Sequence, residues 1–134
     1  MMRSSNNSVS ANKSGQILFI GRNLDFTLTT DQALLKQFAG TNFRVTDIIA
    51  VRKSGAGTVV CAGGVYDATA KGGNAIVAAA QSWVTLAASV SVSATLAAIV
   101  NTGLLSATTL YLSLTTGSTG AVAADVFVFG YIID

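Results

Sequence analysis

From Gly72 to Asp134 the chain carries two charged side chains, Asp125 and Asp134, in 63 residues. The surface of a soluble domain is ordinarily about 25–35% Lys, Arg, Glu and Asp. This half therefore cannot clothe itself in charge. Either its exposed faces are built from Ser and Thr, or other subunits cover much of it. Both are expected here. The first 71 residues hold all eight Lys and Arg and four of the six Asp, so the net charge of +2 hides a strong asymmetry.

The same half alternates with period two, the signature of half-buried strands. In residues 108–115, TTLYLSLT, Leu110, Leu112 and Leu114 share one face. In residues 125–133, DVFVFGYII, Val126, Val128, Gly130 and Ile132 alternate with Phe127, Phe129, Tyr131 and Ile133. Both faces are apolar, so the strand is central and buried on both sides, or one of its faces meets another subunit. The second case assigns Phe127, Phe129, Tyr131 and Ile133 to an oligomer interface. Residues 84–100 are apolar and uncharged, but Thr85, Ser89, Ser91, Ser93 and Thr95 interrupt them in strand rhythm. No membrane span is expected there.

Towards the N-terminus, residues 16–20 and 24–29 read as strands separated by a turn at Gly21-Arg22-Asn23. The run QALLKQF after Thr30-Asp31 reads as a short helix capped by Thr30 or Asp31 and ended by Gly40. Residues 43–53 form a long strand whose mainly apolar face includes Asp47, which calls for a bulge or a partner. Residues 58–66 return as its hairpin partner, and 67–74 are a loop. Residues 75–83 suit either a short helix or a strand, and 84–88 and 90–100 read as two further strands. The pattern predicts an all-β, antiparallel β-sandwich or jelly-roll-like domain over residues 16–134, with one short helix. Residues 1–15 are polar, with almost no apolar anchor, and read as a flexible N-terminal arm.

Composition excludes much chemistry. There is no His and no Glu, so no Ser-His-Asp or Cys-His apparatus can be assembled. Cys61 is the one cysteine; it forms no internal disulfide or thiolate metal site, and its strand-like neighbours predict a buried, inert thiol. The aspartates are scattered with no calcium-loop spacing. Gly55-Ala56-Gly57 and Lys71-Gly72-Gly73 lack the spacing of phosphate loops and read as turns. Neither a catalytic centre, a cofactor nor a metal is expected. Few basic residues and no interleaved aromatics argue against direct nucleic-acid binding.

The stretch DIIAVRKSGAGTVVCAGGVYDATAKGGNAIVAAAQSWVTL and the closing TLYLSLTTGSTGAVAADVFVFGYIID resemble small virion proteins of tailed bacteriophages. These are capsid decoration (cement) proteins and the β-rich knobs of head and tail fibres. The resemblance implies a compact sandwich or jelly roll, often a homotrimer, on the capsid surface and bound to the major capsid protein, with no cofactor and no reaction. Arg3 and Lys13 in the arm and Arg44, Arg52 and Lys53 on the long strand are then the residues expected to face the shell. The alternative is a receptor- or glycan-binding knob, with Tyr66, Trp83, Tyr111 and Tyr131 as stacking platforms.

Overall fold

The structure, a computed structural model, describes residues 15–55, 60–87, 90–96 and 104–133. Eight strands run β1 Gln16–Asp25, β2 Gln32–Lys36, β3 Phe43–Gly55, β4 Ala62–Tyr66, β5 Ala75–Val77, β6 Ser91–Ser93, β7 Thr109–Thr116 and β8 Val122–Ile132. They form one antiparallel sheet in the order β5-β4-β7-β2-β1-β8-β3-β6. The order divides into two four-stranded halves, β1-β8-β3-β6 and β2-β7-β4-β5, which is the wrapping of a jelly roll. The halves join where β1 pairs with β2, and their far edges meet at a bridge between Val77 and Leu96. The curled sheet encloses a single core.

Aromatic side chains plug both ends of that core. At one end Phe19, Phe38 and Phe43 pack edge-on or tilted to one another with centroids 5.2 to 5.9 Å apart. At the other, Trp83 lies edge-on to Phe26 at 5.7 Å. Trp83 Nε1 donates to the Gly63 carbonyl at 3.1 Å, and its backbone N–H donates to the Cys61 carbonyl at 2.9 Å. Cys61 is buried beside them, its Sγ 3.7 Å from the Phe26 carbonyl oxygen. Burial pushes the Cys61 thiol up to about 11, so little thiolate forms near neutrality. Alkylation by iodoacetamide at pH 8 should be on the order of a hundredfold slower in the native protein than in urea, as the thiolate fraction requires. Equal rates would show that the end plug is open.

The bulge that Asp47 called for is present. The register of β3 on β8 shifts between Val45 and Asp47. The shift turns Phe43, Val45, Ile48 and Ala50 inward and leaves Asp47 exposed. Gly21-Arg22-Asn23 is likewise a bulge within continuous β1, with Asn23 left-handed at φ 54°, and not a turn between two strands.

Four expectations are corrected. Ala62–Tyr66 does not return as the hairpin partner of β3: it is β4, paired with β7 and β5, while β3 pairs with β8 and β6. QALLKQF is not a helix: Gln32–Lys36 is β2, paired with β1 and β7. Only Leu34 of that strand turns into the core, so the interior demands a period of two and overrides the local helix propensity. Residues 84–87 form a single 3-10 turn, and among the described residues the strand that follows is Ser91–Ser93; residues 88, 89 and 97–100 of the two expected strands lie outside the described residues. No helix among the described residues is long and apolar enough to cross a membrane. Residues 1–14 of the arm, including Arg3 and Lys13, lie outside the described residues.

The loop between β4 and β5 is held by side chains. Asp67 accepts the Asn74 backbone N–H at 2.6 Å and its side-chain amide at 2.9 Å; Asp31 accepts the Ala70 N–H at 2.8 Å. Lys71 reaches over the sheet to Ser113 Oγ at 3.0 Å. These contacts hold Ala70 and Lys71 in left-handed backbone at φ 57° and 58°, a conformation that costs an L-residue about 1–2 kcal/mol. Ala70→Gly should therefore raise stability by about 0.5–1 kcal/mol. An unchanged urea midpoint would show that the loop carries no strain.

Candidate interaction surface

The outer face of the β1-β8-β3 half is apolar across several strands. Residues directly opposite one another on paired strands share a face. Phe127 lies opposite Ile20 on β1 and Ile49 on β3, and Ile20 lies opposite Leu35 on β2. One row of four strands thus reads Leu35, Ile20, Phe127, Ile49. The next row adds Ile17 and Phe129, and Val51 follows on the other side. Leu35 is 60% exposed and Ile17 39%, while Ile20, Ile49, Val51, Phe127 and Phe129 are half-buried. Contiguous apolar surface of this kind makes this face the candidate interaction surface.

The two-sided apolarity of β8 has a simple origin. Val126 and Val128 fill the barrel, and Phe127 and Phe129 stand on its outside. Tyr131 is half-buried opposite Arg44, and Ile133, 40% exposed, lies just past the strand with its N–H on the Asn42 carbonyl at 2.9 Å. All four residues assigned from sequence to an interface therefore reach the surface.

A charged cluster borders the belt. Asp125 is two residues before Phe127 on the same face, yet its side chain is only 6% exposed. Its Oδ1 accepts the Asn23 backbone N–H at 2.8 Å. Its Oδ2 lies 3.4 Å from Arg22 Nη1 on β1 and 3.8 Å from Lys53 Nζ on β3. The left-handed bulge at Asn23 aims that N–H at the carboxylate. Sequence reasoning missed Arg22 and Asp125. The one available signal was that Asp125 falls in step with Phe127 and Phe129; Arg22 is 103 residues away.

A groove of about 380 Å³ runs beside Arg22, lined by Ile20, Ala33, Leu35 and Gln37. It lies where β1 and β2 run side by side, paired at Phe19–Lys36 and Ile20–Leu35 and held further by the Gln37 N–H on the Leu18 carbonyl at 2.8 Å. The Gln32 side chain bridges the gap beyond, accepting the Asp25 N–H and donating to the Asp25 carbonyl, both at 2.8 Å. The hydroxyl and backbone N–H of Thr27 hold the Asp25 carboxyl below its ordinary pKa. That contribution is full above the ordinary value and is lost as pH falls through the lowered one.

No known family, curated protein or solved structure matches this chain.

The basic residues of β3 do not form one patch. Arg52 turns its guanidinium to the Leu86 carbonyl at 2.6 Å. Arg44 sits at the far end of the strand from Lys53, roughly 30 Å away at strand rise. Lys53 alone joins the border cluster. Of the four candidate stacking platforms, Trp83 and Tyr66 are buried and present no ring to a ligand. Tyr111 and Tyr131 are half-buried on β7 and β8, with β2 and β1 between those strands. Among the described residues no three His, Cys, Asp or Glu side chains are grouped to hold a metal ion.

Proposed function

We propose that this chain is a non-enzymatic structural protein of a virion, a decoration protein that binds the outside of a phage head. In this reading it forms a homotrimer, contacts the major capsid protein and stabilises the shell by adding interface across its subunit joints. The observation that carries it is the apolar belt Leu35–Ile20–Phe127–Ile49 on the outside of a jelly roll. A belt crossing four strands is costly to leave in water; in this reading symmetric association covers its Phe127–Ile49 end economically, and the Leu35–Ile20 end is left for the capsid protein. The resemblance of the sequence to small phage virion proteins supplies the context. The fold supports many functions and adds little by itself.

Light scattering after gel filtration tests the reading. The wild-type chain should elute as a trimer of its 13.6 kDa unit, and Phe127→Asp as a monomer with an unchanged far-ultraviolet spectrum. The wild-type protein should also co-sediment with phage heads lacking their decoration protein, and Phe127→Asp should not. A wild-type monomer that ignores such heads would overturn the proposal.

A further inference from the structure

Arg22 and Lys53 converge on one carboxylate oxygen of Asp125, and the geometry leaves both cations underused. The distances, 3.4 and 3.8 Å, exceed the roughly 2.7–2.9 Å of a strong charge-assisted hydrogen bond. The other oxygen of Asp125 is taken by the Asn23 N–H. Two positive charges therefore share one negative charge, and their side chains are 68% and 54% exposed. The carboxylate beneath is nearly buried, so it positions the cations without neutralising both. Arg22 also lines the groove, together with Ile20, Ala33, Leu35 and Gln37. Surplus positive charge thus stands beside a largely aliphatic groove, on the rim of the apolar belt.

We propose that Arg22 and Lys53 form a carboxylate clamp, and that the adjoining groove takes an acidic, aliphatic peptide segment of a partner protein. The partner's carboxylate sits on the Arg22–Lys53 pair, and a neighbouring aliphatic side chain covers Ile20 and Leu35. Arg22 suits this role because its planar fork offers several donors to a carboxylate at once. The inference rests on reading this face as a contact surface and deepens it by giving the partner's chemistry.

The probe is N-acetyl-Ile-Glu-Ile-amide, titrated into the full ¹⁵N-labelled chain at fixed ionic strength. The Asn23 amide and the Arg22 Nε–H report. Saturable shifts are expected with this peptide, and at least tenfold weaker binding with its Gln counterpart. Arg22→Gln and Lys53→Gln should each weaken binding at least fivefold; both sites are exposed, so folding should survive. Shifts that do not saturate, that match for the Glu and Gln peptides, or that persist in both variants would overturn the clamp. Hexanoate binding as tightly as the peptide would overturn the peptide assignment in favour of a free amphiphile. The mass measurement on Phe127→Asp reads self-association separately, so failure of the clamp and failure of the trimer give different results.

Discussion

Trp83→Ala should lower the free energy of unfolding by about 3–5 kcal/mol, the range for deleting a buried large aromatic side chain. Trp83 has no exposed surface and fills the end of the barrel against Phe26. Its loss opens a cavity among Phe26, Cys61 and Gly63. It also removes the indole donor from the Gly63 carbonyl, a further penalty for a buried acceptor. Small domains have only about 5–15 kcal/mol in total, so the variant sits near the edge of folding. Urea denaturation should show a midpoint lower by about 2 M, using typical slopes of about 1–3 kcal/mol/M. The native Cys61 thiol should become more reactive in the same variant, because the cavity opens beside it. A midpoint within 0.3 M of wild type, judged on the same slopes, would show that Trp83 does not close the barrel.

Gly130→Ala should cost about 1–3 kcal/mol by overpacking, although it adds one methyl group. Gly130 lies opposite Val45, beside the bulge in β3, with the β3 backbone close against it. A Cβ there would collide with the Arg44 carbonyl oxygen and come within 2.8 Å of Leu18 Cδ1. Relief requires β8 to move away from β3 at the centre of the sheet. The same movement would turn Phe129, next in sequence, out of line with Phe127. The variant should therefore lose association as well as stability, with the slope of the unfolding curve unchanged. Wild-type stability in Gly130→Ala would show that β3 and β8 do not approach closely at the bulge.

The long strands were legible because their own periodicity matches their burial. Residues 43–53, 108–115 and 125–133 were each placed within a few residues of β3, β7 and β8. Asp47 even signalled its bulge. β2 was not legible: Leu34 and Leu35 look like neighbours on a helix face, but one enters the core and the other joins the outer belt. Only pairing with β1 and β7 fixes that division. The site divides the same way. Phe127 and Phe129 could be assigned from a single strand. Ile20, Leu35 and Arg22 could not, because their strands meet β8 only through the sheet order.

That order also governs when the protein can fold. β1 and β3 do not pair with each other; each pairs with β8, which lies between them. During synthesis on the ribosome, the first half of the sheet must wait for residues 122–132 to emerge. Until then only the β5-β4-β7-β2-β1 strands and the separate β3–β6 pair can form, and Leu18, Phe19, Phe43 and Ile48 have no finished core to enter. Long-range pairing of this kind folds slowly and leaves unpaired strand edges in the interval. The nascent chain thus passes an aggregation-prone period just before β8 is made, and slower translation would prolong it.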